Sequence, residues 1–487
     1  MFINHTFFKI YKTPLLLVFA SMLFYFSFAY NLVRTDYIKL VTLYAALFFL
    51  FYKLVNIFKT NVKALTYFAF AFRTIFILAI PNLSQDFYRF IWDGRLILEG
   101  FNPYLYTVES FIKNGQFPVA QTQKLYQGMG NLNASHFTNY APINQLCFAI
   151  AGLLTSKSIL GSVMVMRFII ITADFGTLYF GKKLLSKLNL PAHHIFWYIL
   201  NPFIIIELTG NLHFEGVMIF FLVWSLYLLH IGKWKFAAVV FALSISTKLI
   251  PLMFLPLFFK WFVKRYDTLI KVQGNQCNKI TSLQSPCNKE TKKWIPVLTG
   301  MKKLILFYVI IGIMTVLFFA PFYASELIEN YLNTTSLWFK NFQFNASLFY
   351  IAKAIGYSHG GYNEIVKIGK TIPYLVILFV IIISFFRKNK TTIKLITAML
   401  FVLSFYFFTA TTVHPWYIAT LLILSVFTKY RFPLVWSFII ILSYLSYINV
   451  NNADKSENLW IITFEYLIVY GVFIWEVFIK KAPKMEA

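Results

Sequence analysis

The sequence predicts an all-α polytopic membrane protein, and three observations carry the prediction. Of its 487 residues, 59% are hydrophobic and only 13% charged, against about 25% charged in a soluble domain. Apolar runs the length of a bilayer span, about 20 residues, recur along the whole chain. One orientation, with the N-terminus in the cytoplasm, places the Lys/Arg-rich loops on that side. The net charge of +26 then belongs to those loops, and nucleic acid is not an expected partner.

The elements follow in order. Runs near 12–32, 37–58 and 63–81 open the chain as an N-terminal set of transmembrane helices, 1–81. The start "MFINHTFFKIYKTP" lacks a small-residue cleavage site and reads as an uncleaved anchor. An outer loop, 82–157, comes next. A transmembrane module, 158–262, holds runs near 158–180, 191–209 and 213–231 and an apolar block at 235–262 interrupted by "STKLIP". Lys233 and Lys235 precede this block, and Lys260, Lys264 and Arg265 follow it. Both flanks therefore favour the cytoplasm, and the block reads as two short spans meeting at Lys248 near the outer face. A basic cytoplasmic loop, 263–302, leads to a C-terminal module, 303–487, with runs near 303–322, 367–386, 394–411, 414–428, 432–448 and 459–479. "KKLLSK", "HIGKWK", "RKNKTTIK", "KYR" and "KK" at 480–481 fall inside, and the acidic 449–458 outside. The total is about 12–14 crossings at the usual span length. Three cysteines make no disulfide framework. Cys277 and Cys287 have no His or further Cys nearby and read as free thiols rather than zinc ligands.

The outer loop is too long for a mere connection. "SQDFYRFIWDGRLILEGFNPYLY" reads as a helix with Ser84 as N-cap, ended by Gly100 and "NPY". "YAPINQLCFAIAGLL" is apolar but short. If it crossed, "GKKLLSK" would land outside, so it lies flat or dips at the outer interface.

The same topology carries unusual polar groups from distant stretches to one face. They are Asp86, Arg89, Asp93 and Arg95; Tyr140 and Gln145; Glu207, Asn211, His213 and Glu215 in "IIIELTGNLHFEG"; Lys248; Asn345 and Ser347 in "FQFNASLFY"; and His414 and Trp416 in "TTVHPWY". Such groups at membrane depth are costly and mark function by default. Asp86 and Asp93 are seven residues apart, share a helix face and have Arg89 between them. A carboxylate beside a cation stays ionised and can accept a proton or hold a hydroxyl. Lys248, His213, His414, Arg89 and Arg95 offer donors to an anion such as phosphate. Blander readings stand beside these. Asp93 and Arg95 also fit an interfacial ion pair, the two histidines fit ordinary hydrogen-bonded positions, and Arg167 and Asp174 fit a structural pairing with each other or with Arg73.

The chain, from about residue 80 to about 420, resembles the bacterial polytopic mannosyltransferases of the GT-C class. The first outer loop, "YAPINQLCFAIAGLL", "NPFIIIELTGNLHFEGVMIFFLV", "STKLIPLMFLPLFF", "FNASLFY" and "HPWYI" follow that group's order. The resemblance implies a multi-pass protein of the inner membrane, juxtamembrane helices in the first periplasmic loop, and an active site facing the periplasm. It implies a polyprenyl-phosphate sugar donor, most simply of mannose, a lipid or glycan acceptor, and membrane lipids as surroundings. Asp86 matches the catalytic acidic position that opens the loop, and Asp93 in "WDGR" a second one. From their chemistry and shared face, Lys248, Arg89, Arg95 and His414 are the candidate donor-phosphate ligands, and Tyr140, Gln145, Asn211, His213, Glu215, Asn345 and Trp416 the candidate substrate contacts. The implied chemistry is inverting: a carboxylate deprotonates the acceptor hydroxyl, which attacks the anomeric carbon as the polyprenyl phosphate leaves. No D-x-D pair suited to a nucleotide-sugar metal site occurs in the outer motifs, and Lys and Arg can serve a monophosphate leaving group, so no cofactor or metal is expected. Two departures bear on this. The 263–302 insertion is long, and the spacing D-x6-D leaves open which carboxylate is the base. Two other classes share the pattern in part: a lipid-linked glycan ligase or polymerase, for which a long outer loop late in the chain would speak, and a transporter, for which paired broken helices in two related halves would speak.

Overall fold

The computed structural model describes residues 5–155, 157–263, 291–340, 342–360, 365–445 and 457–480. Among them the regular structure is helical, and a single bridge of sheet type joins Phe344 to Thr412. Cys277, Cys287 and most of the expected basic loop lie outside the described residues. The helix Thr291–Phe319 already begins within the range expected as loop.

Seven described helices have the length and apolarity to cross a membrane alone. The remaining expected crossings are shortened or broken where proline or polar residues interrupt them. Three helices open the chain: α1 (His5–Asn31), α2 (Tyr37–Ile57) and α3 (Val62–Ile75). The Asp36 and Asn61 side chains cap α2 and α3 by accepting the backbone N–H groups of Lys39 and Ala64, which satisfies donors orphaned at a helix start. α3 has only 14 residues and is shorter than the run 63–81. The run 191–209 breaks at Pro191 and again at Asn201–Pro202. Pro202–Gly210 and Glu215–His230 form one pair bent by 116°. The runs 414–428 and 432–448 open with Pro415 and Pro433 and carry short helices. Large apolar side chains on the long helices, such as Phe19, Phe26, Val316 and Leu467, are exposed. On a helix whose backbone bonds are internally satisfied, such a surface is made for lipid. The protein is a polytopic, all-helical membrane protein.

Between α3 and α8 (Ile159–Lys187) the stretch expected as an outer loop folds into four helices: α4 (Asp86–Leu98), α5 (Val108–Lys113), α6 (Thr122–Ala134) and α7 (Pro142–Thr155). α4 packs against α6 and α7. The glycine of "WDGR" explains the approach: a Cβ on Gly94 would sit 2.2 Å from the Phe148 carbonyl oxygen of α7. At 14 residues, α7 is about 21 Å long by the helical rise, too short for a core of about 30 Å. The helix start falls two residues after Ser84. Gln85 is the N-cap and makes no side-chain cap bond, while Ser84 Oγ accepts the Asp86 N–H at 3.3 Å. At the other end Gly100 takes φ +82°, a conformation that favours glycine and stops the helix.

Inside the bundle, Arg73 and Asp174 form a fully buried ion pair at 2.8 Å. Among the described residues Arg167 pairs with no carboxylate. It donates to the carbonyls of Thr209, Gly210 and Ile77 at 2.8–2.9 Å. The break at 210–215 leaves carbonyls without helical partners, and a five-donor guanidinium meets that need better than a second contact to Asp174. Arg167 thereby ties the broken helix to the chain end of α3.

Candidate active site

Asp86 is the first residue of α4 and half-buried. The positive end of the helix favours a carboxylate there. Asp86 Oδ1 accepts Asn133 Nδ2 of α6 at 3.2 Å. Burial pushes its carboxyl above the ordinary 3.8, against the Asn133 bond and the charges of Lys248 and Arg34, which pull it down. Asp86 thus lies in the field of two cations and pairs with neither.

Asp93 stands elsewhere in chemical terms. It is fully buried, with Arg89 Nε at 2.7 Å and Gln145 Nε2 at 3.1 Å. Arg89 spends its Nη1 on the carbonyls of Asn133 and His136 at 2.8 and 3.0 Å. Gln145 also donates to Thr138 Oγ1 at 3.1 Å. Arg95 turns to the Ala120 carbonyl at 2.7 Å and Gln121 Oε1 at 3.3 Å, so the Asp93–Arg95 pair read from the sequence does not form: Asp93 takes Arg89, one helical turn away. The group expected as one cluster is split, Asp86 to one side and a packed Asp93–Arg89–Gln145 knot to the other.

The opposite wall comes from the break at 210–215. Leu212 has φ +64°, and Asn211 Oδ1 accepts the Leu83 N–H at 3.2 Å, fastening the break to the segment that leads into Asp86. Asn211 Nδ2 reaches Glu207 at 3.4 Å, and Glu207 accepts the Tyr444 hydroxyl at 2.8 Å. Glu215 pairs with Lys248, whose ammonium lies 5.8 Å from the Tyr417 ring centroid. Four rings form a continuous stack: His213 on Trp416 at 3.7 Å, Trp416 on His414 at 4.6 Å, and His414 on Phe344 at 5.1 Å. The stack is held from behind. Phe344 exchanges backbone bonds with Thr411 and Val413 at 3.1 and 2.9 Å. The next residue, Asn345 (φ +47°), is bound by Glu465 at 3.1 Å, Glu457 at 2.9 Å and the Tyr466 hydroxyl at 2.8 Å. Ser347 bonds the Tyr470 hydroxyl.

These walls enclose a cavity of about 790 Å³, within the range of ligand sites. Of the residues singled out from the sequence, Asp86, Tyr140, His213, Glu215, Lys248, His414 and Trp416 line it. Arg89, Asp93, Arg95, Gln145, Asn211 and Asn345 do not. The lining has a cationic part with Arg34 and Lys248, a part rich in neutral amides with Gln85, Asn133, Asn139 and Asn144, and an apolar arm with Leu252, Met253, Ile372, Val376 and Ile377. Among the described residues, no group of three or more His, Cys, Asp or Glu is arranged to hold a metal ion.

Residues 19–264 match the MptA_B family, alpha-(1->6)-mannopyranosyltransferase, N-terminal domain. The chain belongs to this family. It is a glycosyltransferase, a membrane mannosyltransferase, and therefore acts on a sugar donor and a glycan or lipid acceptor. No curated protein matches the chain. The matched part of the mannosyltransferase contains Asp86, Glu215 and Lys248, while Trp416, His414 and the Phe344 segment lie beyond it.

Sequence reasoning passed over several of the mannosyltransferase's lining residues. Arg34, in the turn between α1 and α2, lies 5.7 Å from the centroid of the Tyr444 ring and has no ion-pair partner among the described residues. Its signal was present: in the expected topology Arg34 falls in an outer turn, against the inside bias of Lys and Arg. Asn144 stands next to Gln145 at the start of α7, and only the rotation of that helix decides which of the two meets the cavity.

Proposed function

We propose that the enzyme transfers mannose from a polyprenyl-phosphate donor to a hydroxyl of a lipid or glycan acceptor on the periplasmic face of the inner membrane, with inversion and with Asp86 as general base. The observation that supports this best is a carboxylate, Asp86, that lines the amide-rich cavity in the field of two cations and forms an ion pair with neither. The acceptor hydroxyl gives its proton to Asp86. Its oxygen attacks the anomeric carbon, and the bond from that carbon to the phosphate oxygen breaks with its electron pair on the phosphate. The leaving monoester gains one negative charge, which Lys248 and Arg34 face. A carboxyl raised by burial is a stronger base than an exposed aspartate, and a positioned base is worth typically 10²–10⁴-fold.

The other residues take roles by position. The ring stack of His213, Trp416 and His414 forms the aromatic side of the space proposed for the pyranose. The apolar arm suits the first isoprene units of the donor. Arg89, Asp93, Gln145 and Arg95 hold α4 against α6, α7 and the loop before α6, and so aim Asp86. The Lys/Arg asymmetry of the sequence favours a cavity mouth that faces outward.

The test is transfer by the purified enzyme in liposomes, comparing radiolabelled polyprenyl-phosphate mannose with GDP-mannose. Transfer from the lipid donor alone is the expected result. Transfer from the nucleotide sugar alone would overturn the donor assignment and the outward-facing site with it.

A further inference from the structure

The start of α7 rests on the turn that carries Lys248. The Ile143 N–H donates to the Ser246 carbonyl at 2.9 Å, and Asn144 Nδ2 donates to the Thr247 carbonyl at 2.8 Å. A carbonyl cannot donate, so this bond fixes the carboxamide the right way round. Asn144 Oδ1 is then the group left over. Asn144 is fully buried, lines the cavity, and its Oδ1 has no hydrogen-bond partner among the described residues. On the same lining, Glu215 holds Lys248 through Oε1, while its Oε2 is buried and unpartnered too. Buried acceptors left unpaired are rare and costly.

Both orphaned atoms accept, and neither is met by a prenyl chain, which has no polar hydrogen, or by a phosphodiester, which is itself an acceptor. They are met by hydroxyl groups. Their place beside Lys248 says which hydroxyls: those of the ring joined directly to the phosphate that Lys248 faces. We infer that Asn144 Oδ1 and Glu215 Oε2 form the subsite that reads the hydroxyls of the transferred mannosyl ring, with Asn144 as its specificity-determining residue. This rests on the polyprenyl-phosphate reading above and adds to it the side that recognises the sugar. Sites built to bond a substrate hydroxyl reject analogues that lack it, because the site's own polar group is then stranded.

The test uses polyprenyl-phosphate donors in which single mannosyl hydroxyls are replaced by hydrogen, assayed with the full-length enzyme in liposomes. For wild type, at least one deoxy donor is expected to lose about tenfold to a hundredfold in kcat/KM. Asn144→Ala is expected to lose a similar factor with the full donor, and to lose nothing further with that deoxy donor. A role confined to tying α7 to the Lys248 turn predicts the contrary: losses from variant and deoxy donor that multiply. Multiplying losses, or a wild type that treats all deoxy donors within about threefold of the full donor, would overturn the subsite while leaving the donor assignment intact. If wild type does not use the polyprenyl donor at all, the donor reading falls and the subsite falls with it. The wild-type series needs no variant to fold, and Asn144→Ser supplies a milder change should Asn144→Ala not accumulate.

Discussion

The two aspartates of α4 are seven residues apart on one helix face, yet the protein treats them in opposite ways. Asp93 gives one carboxylate oxygen to Arg89 and the other to Gln145, and it does not line the cavity. Asp86 meets one neutral amide, Asn133, and a cavity. The difference arises because α4 runs out of the cavity into the contact with α6 and α7, where Gly94 lets the backbones touch. A shared helix face guarantees a shared direction and says nothing of what that direction meets one heptad later. The first turn of the helix is therefore available for chemistry, and the second is framework.

The comparison can be broken most readily on stability. Asp93→Asn strands the buried Arg89 charge, and removing one partner of a buried pair costs about 3–5 kcal/mol. Asp86→Asn takes away no ion pair and is expected to change stability by less than about 1 kcal/mol. Thermal unfolding of the purified variants in detergent checks the contrast; equal losses would mean that Asp86 is framework as well. Gly94→Ala is expected to lie between them, at about 1–3 kcal/mol, because overpacking pushes α4 off α7.

Donor binding separates the cations in the same manner. Lys248→Gln and Arg34→Gln each lose a charged contact to phosphate, for which about 1.5–3 kcal/mol is typical, or roughly tenfold to a hundredfold in affinity. Arg95→Gln is expected to leave donor affinity unchanged, since its Nη1 is spent on Ala120 and Gln121. Equilibrium binding of labelled polyprenyl phosphate measures all three. A loss at Arg95 equal to that at Lys248 would reunite the cluster that the fold divides.

The smallest effect is on pH dependence. Asp86 must be ionised to act, so kcat/KM falls as pH drops through its pKa. Because burial raises that pKa above 3.8, the acid limb is expected above the ordinary aspartate range. Asn133→Ala removes a bond that favours the carboxylate, and the limb is expected to move further up. A limb that stays in place or moves down in that variant would detach Asp86 from the profile.

Much of this architecture was legible in the chain. The bias of Lys and Arg put the motifs on one side, and the cavity draws its lining from those motifs, from Asp86 to Trp416. The charged knot was not legible, because whether Arg89 faces Asp93 or a substrate depends on α6 and α7 closing over it. Arg167 was read toward a carboxylate, since carbonyls freed by the break at 210–215 leave no mark in residue identity. The breaks within the expected spans were not legible either: hydropathy treats 191–209 as one run, and the structure interrupts it at Asn201–Pro202. Asn144 and Gln145 differ by one position and about 100° of helix rotation, and that angle is fixed by the bonds to Ser246 and Thr247.

The most direct measurement is a single-turnover assay of mannose transfer from polyprenyl-phosphate mannose by Asp86→Asn and Asp93→Asn, each normalised to folded protein and saturated with donor. Asp86→Asn is expected to be slower than wild type by about 10²–10⁴-fold with donor affinity nearly intact, and Asp93→Asn to keep most of its rate per folded molecule. A folded Asp93→Asn enzyme as slow as that, beside an Asp86→Asn enzyme near the wild-type rate, would contradict the account and move the base to the second turn of α4.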